Sequence, residues 1–381
     1  MSGTDEANAA IPEEASSPAP PTRRGLFAAA GTALVAGAAG WALGRSGESD
    51  APADTQPGEQ PGGAAASPSA SPLPSAERRP GITWPAIPQR YVWVGVVSVP
   101  GRDASAIREL AIRVSQELPA LPEDAGEPTV TVGFAPAVAR SLWGERASAT
   151  IELPAFAHDE ESVATGGDLA LQVCAETAAA VTQIVVGIRR MLGDHVLEWE
   201  RSGYRDAPTP HGTARTSTGF VDGIVNPRTA ELLAAGVWTD AKHRDTHLVL
   251  RRMRIVPSFI ALSDADQERA IGRRKDTGAP LSGGGPLDDV DLFSKAADGH
   301  PLTPRTSHAR RVHPANLGRA LMLRRSYSFD PAEGAGLLFI AYLADPQTFI
   351  ATQRRLDEDD DLIAHTRTDA SGCFFVPGDL T

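Results

Sequence analysis

The run YVWVGVVSV (Tyr91–Val99), followed by DASAIRELAIRVSQEL (Asp103–Leu118), decides the fold. The first, rich in Val and aromatic residues, reads as a buried strand. In the second, Ile107, Leu110, Ala111, Val114 and Leu118 share one helical face, with Asp103 placed to cap it. Working outward, Thr129–Ala135 is a second strand and DLALQVCA (Asp168–Ala175) a third. Thr177–Leu192 repeats helical spacing through Val181, Ile184, Val185, Ile188 and Leu192, and Val196–Tyr204 closes the unit as a strand. The order is βαββαβ.

The same order returns further along. His247–Val256 is a strand, Ser263–Arg273 a helix capped by Ser263, and Arg319–Phe329 and Gly336–Leu343 are strands. A helix starts at Asp345-Pro346, and Cys373–Val376 is a short final strand. Two successive units predict an α+β protein of duplicated ferredoxin-like halves, 81–210 and 211–381, with antiparallel sheets and helices on one face. In the second half the connection after the first helix swells to Lys275–Gly318 and carries His300, His308 and His313, three of the chain's nine histidines. Loops this long in compact domains are usually functional.

Before these halves lies a different kind of polymer. The first 80 residues hold 11 of the 31 prolines, and with 5 basic and 9 acidic residues they carry −4 of the chain's net −12. Thr22-Arg23-Arg24-Gly25-Leu26-Phe27 precedes a Gly/Ala-rich apolar run to Leu43, which resembles a twin-arginine export signal over residues 1–45. A retained N-terminal anchor is the alternative. Residues 46–80 mix Ala, Pro, Gly and Ser without apolar periodicity and read as a disordered stalk. Export places the protein in the periplasm, at the cell surface or outside the cell, with no stable membrane span in the mature form. The 381 residues, with only 2 cysteines, exclude a disulfide-stapled mini-protein and a Cys-only metal cage. The acidic balance argues against nucleic acid as a partner.

Three short segments could carry chemistry. GFVDG (Gly219–Gly223), followed by Ile224-Val225-Asn226-Pro227, lies between the halves. On spacing alone it is a turn. Ser307-His308-Ala309-Arg310 is followed by His313-Pro314. Leu323-Arg324-Arg325-Ser326 sits in a predicted strand, whose alternation sends the two arginines to opposite faces, so one points to a core or pocket.

Together these segments resemble the dye-decolorizing peroxidases, haem peroxidases built from duplicated ferredoxin-like halves. The resemblance runs from Gly81 to the C-terminus. It rests on GDLALQVCAE (Gly167–Glu176), GFVDGIVNP (Gly219–Pro227, containing GxxDG), IGRRKDTGAPLSG (Ile271–Gly283), SHARRVHP (Ser307–Pro314) and RALMLRRSYSF (Arg319–Phe329), in family order. The twin-arginine pattern is similar to that of the exported deferrochelatase/peroxidase branch.

The resemblance implies haem b as cofactor, with its pocket mainly in the C-terminal half, and hydrogen peroxide and bulky organic reductants such as dyes or phenols as substrates. It implies His308 as the iron ligand, with His313 the runner-up, and Asp222 and Arg324 as the catalytic pair on the opposite side. It places Arg310 near a haem propionate, and Asn226 and Gly223 in the same binding stretch. Ser326 stands where some relatives have Asn. Export implies the twin-arginine machinery as a partner, and a homo-oligomer is compatible with the sequence. An aspartate stays ionised at mildly acidic pH better than a histidine stays neutral, so an acidic optimum is expected. A rate that rises up to neutrality would contradict it. Rival readings are iron release from haem, a haem carrier with little turnover, and a non-haem interaction module.

Other features read blandly. Cys174 and Cys373 are small buried hydrophobes. Trp143, Trp238, Tyr327 and Tyr342 read as core residues before surface electron relays. Asp357–Asp361 (DEDDD) reads as a solvated charge run.

Overall fold

The computed structural model describes residues 75–101, 103–317, 322–329 and 335–380. The signal, most of the stalk and Arg319 lie outside the described residues. The folded body starts before Gly81. Ser75–Glu77 forms a 3₁₀ turn, Glu77 accepts from Trp238 Nε1 at 3.1 Å and pairs with Arg244 at 3.0 Å, and Arg79 donates to the carbonyls of Arg244 and Pro377.

The first half contains β1 (Tyr91–Ser98), α1 (Ala104–Gln116), β2 (Thr129–Phe134), α2 (Pro136–Trp143), β3 (Asp159–Ala164), β4 (Leu169–Ala175), α3 (Ala178–Leu192) and β5 (Val196–Tyr204). Asp103 caps α1 as the sequence predicts, its Oδ1 accepting the Ala106 N–H at 2.9 Å. The apolar faces of α1 and α3 pack on one side of a sheet ordered β5-β1-β4-β2, burying Leu110, Val114, Ile184 and Ile188 against Trp93, Leu171 and Val173. That strand order is the ferredoxin-like one.

Between the halves come β6 (Ala214–Arg215), β7 (Val221–Asp222) and α4 (Ala230–Gly236). The second half contains β8 (Thr246–Ile255), α5 (Pro257–Ile260), α6 (Asp264–Ile271), α7 (His308–Arg311), α8 (Pro314–Leu317), β9 (Leu323–Arg324), β10 (Tyr327–Phe329), β11 (Gly336–Leu343), α9 (Pro346–Asp359) and β12 (Thr366–Val376). Its sheet repeats the pattern as β12-β8-β11-β9/β10. Asp345 caps α9 and Ser263 caps α6.

The two sheets join into a closed ring. β2 meets β12 at Phe134 opposite Phe375, and β10 meets β5 at Ser328 opposite Tyr204. Val92, Val94, Cys174, Trp199, Leu250, Tyr327, Ile340 and Tyr342 form one buried cluster, contributed by both sheets. Tyr327, Tyr342 and Trp238 are core residues, and both cysteines are buried and free.

Four details differ from the sequence reading. The strand predicted over 319–329 is broken at Arg325-Ser326. The register against β11 is the same on both sides, 324 opposite 341 and 327 opposite 338. Between them the Ser326 hydroxyl takes the Ile340 N–H, while the Ser326 carbonyl accepts from Arg205. β12 is eleven residues long and bulged near Asp369. The sheets are antiparallel except that β3, absent from the sequence reading, pairs parallel with β12. The helix α2 was not anticipated either. Among the described residues, no helix is long and apolar enough to cross a membrane.

His247, the second residue of β8, is fully buried, with Nδ1 3.3 Å from the Leu343 carbonyl, and burial pushes its pKa down. The unfolded chain, with His near 6.5, therefore binds a proton that the native state refuses. That contribution to stability is intact above the unfolded value and is lost as pH falls below it. Urea unfolding between pH 7 and pH 5 is expected to show a smaller loss of stability in His247→Asn than in wild type. Equal slopes would contradict the assignment.

Candidate active site

The GxxDG turn is held by its glycines. Gly219 and Gly223 have φ of +86° and +84°, a region that side chains with a Cβ rarely enter. Between them β7 presents Asp222 at the wall of a cavity of about 240 Å³. Its lining is mostly apolar, with Ile224, Met253, Ile255, Leu337, Phe339 and Leu356 among its walls. Asp222, Gly223, His308, His313 and Arg324 all line this cavity, together with Arg273, Asp289 and Ser326.

Arg324, on β9, brings a guanidinium nitrogen to 3.7 Å from Asp222 Oδ1, with each side chain one-quarter exposed. Its Nη1 donates to the Val225 carbonyl at 3.2 Å. Asn226 does not line the cavity. It clamps the backbone of Arg324 from both sides, donating to its carbonyl at 2.8 Å and accepting its N–H at 3.0 Å. Asn226 therefore positions Arg324. Truncation to Ala leaves the strand partly unsatisfied and is expected to lower activity with little change in cofactor content, measured by turnover and absorbance on one preparation.

His308 opens α7, after the buried Ser307. Its Nδ1 lies 3.2 Å from Asp360 Oδ2. Asp360 is fully buried, and its Oδ1 accepts the N–H groups of Leu362 and Ile363 at 3.0 and 2.8 Å. The acidic run is therefore not a solvated patch. Asp360 orients the imidazole, Asp361 accepts from Thr306 at 2.6 Å, and Glu358 pairs with Arg311 at 2.8 Å, so the run clasps the segment that carries His308.

The two candidate ligands differ in what their nitrogens are doing. His313 has both engaged: Nε2 is 3.0 Å from Asp289 Oδ2, and Nδ1 accepts the Ala315 N–H at 3.2 Å. His308 has Nδ1 engaged, which leaves Nε2 for a ligand in the cavity.

Arg310 is not brought to the cavity wall. Helical spacing puts His308, Ala309, Val312 and His313 on the cavity side and turns Arg310 away, toward the Thr303 carbonyl at 3.4 Å. The sequence reading missed Arg273, a buried guanidinium on the wall, donating to the carbonyls of Gly278 and Asp288 at 3.0 Å each. Its signal was present in IGRRKDTGAPLSG. The reading also missed Asp360, whose neighbours in sequence are all acidic.

Comparison with known proteins agrees with this architecture. The family model described as Dyp-type peroxidase, N-terminal, matches residues 114–205, and that described as Dyp-type peroxidase, C-terminal, matches residues 213–381. A dye-decolorizing peroxidase of Thermobifida fusca is 34% identical over 317 residues, covering 72% of each chain. Among solved structures, a DyP-type peroxidase from Streptomyces coelicolor has a TM-score of 0.69 at 31% identity, covering 79% of this chain and 91% of its own. DtpA from Streptomyces lividans, in an oxyferrous complex, has a TM-score of 0.70 at 32% identity, covering 79% and 92%. With this pocket on a duplicated ferredoxin-like fold, the chain belongs to the Dyp-type peroxidase family and is a haem-dependent peroxidase.

Proposed function

We propose that the cavity between β7, β9, α7 and α9 reduces hydrogen peroxide on a haem held by His308 and oxidises bulky organic donors. The observation that carries the reading is that the Asp222–Arg324 pair and the Asp360-oriented His308 line one apolar cavity.

The residues fit haem. An apolar slot suits the macrocycle, and His308 offers Nε2 while its other nitrogen leans on a carboxylate, the arrangement that makes an imidazole a stronger donor. Arg273 on the wall can pair with a propionate, whereas Arg310 does not line the cavity and donates to the Thr303 carbonyl. When bound, haem supplies the iron that is oxidised at the expense of peroxide and reduced again by single-electron donors.

The protein's own groups move the proton. Asp222, as a carboxylate, takes the proton from one peroxide oxygen and returns it to the other, which departs as water with the electron pair of the O–O bond. Arg324, 3.7 Å from Asp222, places fixed positive charge beside the separating oxygens. A haem carrier has no use for such a pair. Arg324→Ala is expected to lower peroxide turnover by about 10²–10³-fold, the scale seen when one preorganised electrostatic group is removed, with cofactor absorbance retained. Unchanged turnover would count against the assignment.

Asp360→Asn keeps the volume and removes the anionic partner of His308. Loss of haem to an apoprotein acceptor is expected to speed up by about 10–100-fold, and an unchanged rate would make Asp360 a structural residue only.

The reading extends to export. Arg23-Arg24 ahead of an apolar run supports delivery of the folded, cofactor-loaded protein by the twin-arginine route. Replacing both arginines with lysine is expected to retain the protein inside the cell. Continued export of that variant would exclude the route.

A further inference from the structure

Arg325, next to the catalytic arginine, has no part in this chemistry. Strand alternation turns Arg324 into the cavity and Arg325 the other way, where it is 3% exposed. Its Nη1 donates to the Pro85 carbonyl at 2.9 Å. Its Nε and Nη2 are buried and have no hydrogen-bond partner. These two N–H groups form one edge of the guanidinium plane, the edge that grips anions with two parallel bonds. Arg146 uses the same edge to hold Asp245, at 2.9 and 2.7 Å.

Among the described residues, nothing neutralises Arg325. The groups acting on its charge are Tyr327, Cys174, Tyr342 and Arg205. Burial pushes the Cys174 thiol and both phenols up, so all three are neutral at physiological pH. Arg205 adds a second buried guanidinium, whose Nη1 donates to the Ser326 carbonyl at 2.6 Å. Among the described residues, neither arginine has an ion-pair partner. A guanidinium stays protonated in proteins, and a buried charge without a counter-charge is strongly disfavoured.

We propose that the Nε/Nη2 edge of Arg325 is a binding site for a small monovalent anion, chloride being the abundant example. Arg205, which acts on the Arg325 charge, also lines a cleft of about 600 Å³ together with Arg90, Arg215, Tyr204 and Asp206. Three guanidiniums against one carboxylate make that cleft positive. The site is independent of the haem assignment.

The test uses the holoenzyme crystallised with sodium bromide. An anomalous peak within hydrogen-bonding distance of Arg325 Nε and Nη2 is expected. In solution, exchanging gluconate for chloride at fixed ionic strength is expected to raise the wild-type thermal midpoint by about 5 °C at saturation. Arg325→Met is expected to lose that dependence. No bromide peak at Arg325, with a chloride-independent wild-type midpoint, would overturn the site. Both wild-type measurements stand even where Arg325→Met does not fold.

Discussion

Asp222→Ala is expected to lower kcat/KM for hydrogen peroxide by about 10²–10⁴-fold, the range that a positioned proton-transfer group contributes. The side chain lines the cavity on a turn whose left-handed positions are taken by two glycines and not by Asp222, so its removal leaves the apolar wall and Arg324 in place. The defect should therefore appear in peroxide turnover and not in cofactor content, which absorbance on the same preparation measures. Wild-type activity in Asp222→Ala would remove the aspartate from the mechanism.

His308→Ala is expected to abolish stable haem binding. Its imidazole is the one whose Nε2 is left for the cavity, whereas His313 has Asp289 on one nitrogen and the Ala315 N–H on the other. The effect should exceed the roughly 10–100-fold expected for removing the carboxylate behind it. Haem titration into the apoprotein, followed in the Soret band, separates the two. His313→Ala should keep the band and His308→Ala should lose it. The reverse pattern would make His313 the ligand.

Much of the frame was legible because it rests on local patterning. Strands such as Tyr91–Ser98 and helices such as Ala178–Leu192 announce themselves by buried runs and single apolar faces, and Asp103, Ser263 and Asp345 mark helix starts by their capping chemistry. The elements that escaped lack such a pattern. β3, DEESVA, has no apolar alternation and exists because β12 offers it an edge. Ring closure depends on pairing Ser328 with Tyr204, residues far apart in sequence, and no local signal encodes it.

The site divides in the same way. Asp222, His308 and Arg324 stand in short motifs and meet at one cavity. Arg310 stands in one of those motifs too, yet a single turn of helix rotates it away from the wall. Asp360 shows the opposite case. Within DEDDD every residue looks alike, and only the fold selects the one that is buried against an imidazole 52 residues earlier.

The most direct measurement is stopped-flow mixing of the haem-loaded wild-type protein with hydrogen peroxide, followed in the Soret region alongside Asp222→Ala and Arg324→Ala. A rapid spectral change is expected in wild type, slowed in both variants. A wild-type protein that binds haem and shows no change on mixing would contradict it and leave carriage as the function of the pocket.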